Sequence, residues 1–191
     1  KYMSRSRRNI QMAIYGTEKQ KWFLDKVKEL KGDGIEIRAV VDQKAGELGE
    51  WKANNFVYPM TAKLPKILGA RAVVPDVDQH MNIRISSFMH NKFFVFDNSS
   101  VWTGSTNISH TCLGAEYNAN VAIVIKSPMI AEIFSQEFQQ MYTDKRFSSK
   151  KQALGGIPVV KFADGTDVKV LFSPQDDPVA NGILPAIRGA K

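Results

Sequence analysis

Two apolar segments, "NIQMAIYG" (9–16) and "IEIRAVVD" (35–42), flank an amphipathic stretch. This order constrains the fold more than any other feature of the chain. Between them, "TEKQKWFLDKVKELKGDG" places Phe23, Leu24, Val27 and Leu30 at helical spacing. Thr17 is the candidate N-cap, and Gly32 and Gly34 stop the helix. A strand, a helix and a strand in this order predict a βαβ unit, with parallel strands and a right-handed crossover.

Alternation continues downstream. "FMHNKFFVFD" and "VWTGS" read as two strands joined by the turn residues Asn98, Ser99 and Ser100. "VAIVI" (121–125) is a further strand. Ser127 and Pro128 then open a helix whose apolar face is Ile130, Ile133, Phe134, Phe138 and Met141. Residues 43–86 carry Pro59, Pro65 and Pro75, with a short helix and a strand expected in "TAKLPKILGARAVV". That irregular connection suits a binding surface. The expected class is α/β: a mixed, largely parallel sheet flanked by helices on both faces.

The composition, 43% hydrophobic and 24% charged over 191 residues, fits a globular body. The apolar runs are too short to cross a bilayer. A net charge of +7 favours an anionic partner, although it is spread along the chain apart from Arg5, Arg7 and Arg8. The single cysteine, Cys112, excludes an internal disulfide framework. No compartment signal is readable.

Residues 1–150 are expected to form one unit and 151–166 a linker. Residues 167–191 read as the start of a second unit, because "ADGTDVKVLFSP" reads as a turn and a fresh strand and "NGILPAIRGAK" as the opening of a helix. Pro185 is tolerable only if that helix starts close to it.

The stretch "FMHNKFFVFDNSSVWTGSTNIS" (88–109) carries the chemistry. His90 and Lys92 share one face of the predicted strand, roughly 6.6 Å apart, and Phe94 and Phe96 continue that face. The hairpin returns Gly104, Ser105 and Asn107 to the same end of the sheet. An imidazole can attack phosphorus or carry a proton. Lysine and asparagine can hold phosphate oxygens and offset the charge of a transition state. Asp97 falls on the opposite face, which suits an orienting or structural role.

The spacing H-x-K, four residues, D, six residues, G-S-x-N resembles the HKD motif of the phospholipase D superfamily, in a bacterial-type two-repeat member. Every signature position is filled: His90, Lys92, Asp97, Gly104, Ser105 and Asn107. The resemblance covers about residues 9 to 147, and "VKVLFSPQDDP" resembles the opening of a second repeat. It implies a phospholipase D-like fold, with residues 1–150 as a first repeat lacking its opening strand and helix.

The resemblance also implies a metal-independent phosphodiesterase that needs no cofactor. The catalytic set would be His90, Lys92 and Asp97, with Lys92, Ser105 and Asn107 binding phosphate and Gly104 in support. His90 would be the nucleophile that forms a phosphohistidine, or its general-acid partner. A second HKD motif would come from the rest of a full-length chain or from a homodimer partner. Similar proteins often place an acid in an N-x-E pattern after the motif; here "EYNANV" has Asn118 and Asn120, with Glu116 nearby. Either Asn120 accepts from the imidazole through its carbonyl, or Glu116 does so.

A phospholipid is the first expected substrate. The alternatives are a nuclease that tracks a phosphate backbone and a non-catalytic phosphate-binding half-site. His80 and His110 read as loop residues. Trp22 and Trp102 read as packing, and Trp51 as packing or as part of a groove. "QDDP" reads as turn chemistry.

Overall fold

The computed structural model describes residues 2–42, 60–76, 88–114, 118–156 and 158–190. Within them, β1 (Asn9–Ile14) and β3 (Glu36–Asp42) run parallel, with Ile10 beside Ile37 and Ala13 beside Val40. Helix α1 (Lys21–Gly32) connects them, which is the expected βαβ unit. The helix starts later than its sequence indicates. Thr17 is not its cap; it belongs to β2 (Thr17–Glu18), and Gln20 takes the cap position. Tertiary pairing explains the shift. Thr17 pairs with Ile108 of β7 (Ile108–Ser109), and its N–H donates to Thr61 Oγ1 at 2.8 Å.

The short helix α2 (Leu64–Leu68) and strand β4 (Val73–Asp76) follow, and β4 adds parallel to β3. On the other side of β1 the sheet is antiparallel through β5 (Lys92–Phe96), β6 (Ser100–Gly104) and β8 (Ala122–Lys126). The order is β4-β3-β1-β5-β6-β8. The sheet is mixed, as expected, but its parallel part is confined to β4, β3 and β1. A tight turn cannot supply the crossover that a parallel pair needs. Asp97 and Asn98 make that turn between β5 and β6, at φ 51° and 53°, while Ser99 N–H donates to Phe96 O. Both residue types tolerate the left-handed region.

Alternation along β5 splits the core between the two faces. Phe94 and Phe96 join Ile10, Met12 and the buried face of α1: Phe23, Leu24, Val27 and Leu30. Phe93 and Val95 join Val40, Val101 and Ile130, Phe134, Phe138 and Met141 of α4 (Pro128–Tyr142). The helices thus cover both faces. Ser127 caps α4, its hydroxyl accepting from Ile130 N–H at 3.3 Å, and Pro128 stands in the first turn.

The stretch 151–166 is more than a linker. It contains β9 (Val159–Lys161), which pairs antiparallel with β10 (Asp167–Lys169). Val160, Val170 and Phe172 are buried under α4, with the Phe172 ring 5.1 Å from that of Phe134. A buried polar network ties this segment down. Glu137, with no exposed surface, accepts from Lys151 Nζ at 2.6 Å and from Gln175 Nε2 at 2.8 Å. Gln140 bonds both the N–H and the carbonyl of Gln152. Three-residue strands carry too little periodicity to be read from sequence. In "QDDP", Asp176 accepts from Phe172 N–H and Asp177 from Ala180 N–H, which is turn chemistry. Helix α5 (Leu184–Gly189) opens with Pro185 in its first turn.

Candidate active site

His90 stands just outside β5, exposed at one side and packed edge-on against Tyr15, with ring centroids 5.0 Å apart. Lys92 opens the strand and is only 8% exposed. Its ammonium donates to His90 O at 2.8 Å and lies 5.7 Å from the centre of the Tyr15 ring. Burying an ammonium is unfavourable. Burial lowers Lys92 from 10.5 to about 8, only slightly countered by the nearby Cys112. Burial and then the Lys92 charge hold His90 below its ordinary 6.5, so at neutral pH the imidazole is the free base.

The β6–β7 loop closes the other side. Gly104 is required where β6 meets Val121: a Cβ there would lie 2.1 Å from Val121 O and 2.7 Å from Ala122 Cα. The loop is clamped by the pairing of β2 with β7, which sets Asn107 next to Ile108. Ser105 is held twice by Val121, its N–H donating to Val121 O at 2.9 Å and its hydroxyl accepting from Val121 N–H at 3.0 Å. The Ser105 hydroxyl donates to Asn120 Oδ1 at 3.1 Å. The Asn120 carbonyl therefore serves Ser105. Glu116 lies outside the described residues, as do His80 and Trp51.

Cys112, in α3 (His110–Leu113), links the two halves. Burial pushes its thiol up, but hydrogen bonds from Ser109, the Asn107 backbone, Asn118 and Asn120 outweigh this and hold it below its usual range. Asn118 Nδ2 donates to its sulfur at 3.7 Å. Lys92 is thus hydrogen-bonded to His90 O and feels the charge of Cys112, whose own hydrogen bonds reach the Asn107 backbone, Asn118 and Asn120, and Asn120 in turn accepts from Ser105. Tyr15 and Cys112 were missed in the sequence, where one reads as the end of a strand and the other only as an unpaired thiol. Among the described residues, no group of three or more His, Cys, Asp or Glu is placed to hold a metal ion.

Asp97 is not in this cluster. It sits past the other end of β5, roughly 16 Å along the strand from Lys92. Its carboxylate accepts from the backbone N–H groups of Arg7, Arg8 and Asn9 at 2.8 to 3.2 Å. Burial pushes it up, but those three donors outweigh burial and keep it ionised below the usual carboxylate range. Its place in the catalytic set is corrected to that of an anchor for the start of β1. His110 begins α3 and is exposed.

Comparisons with known proteins fit this architecture. The fold resembles Nuc from Salmonella typhimurium, described as a phospholipase D family member (TM-score 0.54, 20% identity, 73% of this chain and 80% of that one). It also resembles NucT from Helicobacter pylori (TM-score 0.55, 18% identity, 73% and 81%). A third likeness is to the phosphatidylserine synthase of Haemophilus influenzae (TM-score 0.56, 17% identity, 76% of this chain and 34% of that one). A search of curated protein sequences finds no match. The model of one family, described as cardiolipin synthase, PLD-like domain, matches residues 1–142, and the chain belongs to that family of the phospholipase D superfamily.

Proposed function

We propose that the chain is the catalytic half of a phosphodiesterase in which His90 is the nucleophile. The observation that carries this is the pairing of a free-base imidazole with a nearly buried ammonium, joined at 2.8 Å through His90 O. A neutral imidazole has the lone pair to attack phosphorus; an imidazolium does not. The ring nitrogen bonds to phosphorus, the P–O bond to one alcohol breaks, and that alkoxide takes a proton from a general acid. Water or a second alcohol then attacks the phosphohistidine, loses its proton to the same group and releases His90. Lys92 and Asn107 hold the phosphate oxygens through the charge build-up, while Ser105 and Asn120 hold the loop. The described cluster contains one imidazole, so the general acid comes from a second such motif, in a further repeat or a second copy.

We take the substrate to be a phospholipid. The family's cardiolipin synthase description and the likeness in fold to a phosphatidylserine synthase support this. The net charge of +7 supports a second reading, a nuclease acting on a polyanionic backbone. The test uses the full-length protein in EDTA, wild type beside His90→Ala, on phosphatidylcholine vesicles and single-stranded DNA. Headgroup release that falls at least about 10³-fold in the variant is the expected result. DNA cleavage with unchanged vesicles would keep the chemistry and replace the substrate. No turnover of either would leave a phosphate-binding half-site.

A further inference from the structure

His90 precedes β5 and stands outside its ladder, and the ring torsion of a histidine has broad minima. Neither the strand nor the torsion sets the plane of the imidazole. A nucleophilic nitrogen has to be aimed at phosphorus, and small errors of aim cost rate steeply. Tyr15 supplies the missing constraint. It follows Ile14, the residue of β1 paired with Lys92, and is only 9% exposed. Its ring meets the imidazole edge-on, with centroids 5.0 Å apart and planes at 75°. Phe88 meets the Tyr15 ring in the same manner, at 6.0 Å and 83°. Edge-to-face contact is an arrangement that ring quadrupoles favour.

The same ring lies under the Lys92 ammonium, with Nζ 5.7 Å from its centroid. That distance is within cation–π reach, and the attraction counts for more where the cation has lost water, as the nearly buried Lys92 has. One side chain therefore touches both the nucleophile and the phosphate-binding cation. We propose that Tyr15 is a positioning residue of this site, its ring setting the plane of the His90 imidazole and its π face partnering the Lys92 ammonium. The proposal rests on the phosphodiesterase reading above. The other charges around the pair are accounted for. Lys92 faces His90 and Cys112 of α3. His90 lines a cavity of about 480 Å³ together with Asp76 of β4 and Lys151, whose ammonium is bound to Glu137. A substitution at Tyr15 leaves all of them in place, so its effects report the ring.

The experiment follows hydrolysis of bis(p-nitrophenyl) phosphate by the full-length protein across pH. Tyr15→Phe keeps the ring, so its kcat stays within about twofold of wild type and its alkaline limb does not move. Tyr15→Leu fills the space without a ring. Its kcat at pH 7 falls about tenfold or more while KM changes by less than about threefold. Its alkaline limb moves down by about half a pH unit, because the ammonium loses its π partner and gives up its proton sooner. Trifluorophenylalanine incorporated at position 15 keeps the shape of a ring and weakens only its π face. It moves the limb down as Tyr15→Leu does, and it serves even if the leucine variant fails to fold. A Tyr15→Leu protein with wild-type kcat and limb overturns the proposal. So does a Tyr15→Phe protein as impaired as Tyr15→Leu, which assigns the effect to the hydroxyl, or a fluorinated ring whose limb coincides with that of Tyr15→Phe. Absence of His90-dependent turnover in the wild type overturns the phosphodiesterase reading and the proposal with it.

Discussion

Replacing Asp97 separates a structural anchor from a catalytic carboxylate. Its side chain accepts from three backbone N–H groups, those of Arg7, Arg8 and Asn9, and its own backbone sits at φ 51°. Asp97→Ala removes the acceptor for all three donors. These donors are at or near the surface and regain water, so each costs about 1 kcal/mol instead of a full burial penalty. Alanine in the left-handed region adds about 1 kcal/mol. The expected loss is about 4 kcal/mol. Asp97→Asn keeps an acceptor oxygen and tolerates the same φ, so about 1–2 kcal/mol is expected from the lost charge. Urea unfolding reads both values, and His90-dependent turnover per folded molecule, at low temperature, reads the chemistry. The depressed carboxyl stabilises the fold above its unfolded value of 3.8, and this contribution fades as pH falls through the lower folded value. An Asp97→Ala protein as stable as wild type but inactive would refute the anchoring role.

Other consequences follow from the same geometry. Activity should trace a bell in pH, rising as His90 becomes the free base below 6.5 and falling as Lys92 deprotonates near 8; a flat profile from pH 6 to 9 would contradict it. Between about 8 and 10.5 the unfolded chain keeps the Lys92 proton that the folded chain has released, so stability rises with pH there. Lys92→Met, measured by thermal unfolding at pH 7, should gain up to roughly 3 kcal/mol from the lowering of Lys92 from 10.5 to about 8, and should lose phosphate binding. Gly104→Ala should cost at least about 2 kcal/mol in denaturant unfolding, since its Cβ would meet Val121 O at 2.1 Å. Glu137→Ala should cost about 3–5 kcal/mol by the same measurement, because it strands the Lys151 ammonium now 2.6 Å away.

The placement of the candidate site was legible from side-chain type and spacing. A strand, a tight turn and a returning strand set Phe93 opposite Thr103, which brings the ends of the H-x-K and G-S-x-N segments to one edge. Less legible were groups whose partners lie far away in sequence. That the Asn120 carbonyl accepts from Ser105 is not readable from the spacing of the two residues. Cys112 carried no spacing signal, yet hydrogen bonds from Ser109, Asn107, Asn118 and Asn120 converge on it.

The alternating layers were readable from the sequence: short apolar runs in β1, β3 and β5 mark strands of a sheet covered on both sides, and helical spacing in α1 and α4 marks the faces that cover it, since burial follows local geometry. Only the tertiary structure decided how the strands pair on either side of β1, that Thr17 extends into β2 instead of capping α1, and that Asp97 anchors Arg7, Arg8 and Asn9. Tertiary packing also put Val160, Val170 and Phe172 into the core under α4, and Phe147, Lys151 and Pro174 into the wall of the cavity beside His90. Each of these depends on which distant backbone donor or apolar face fills a given space, and local periodicity carries no information about that choice.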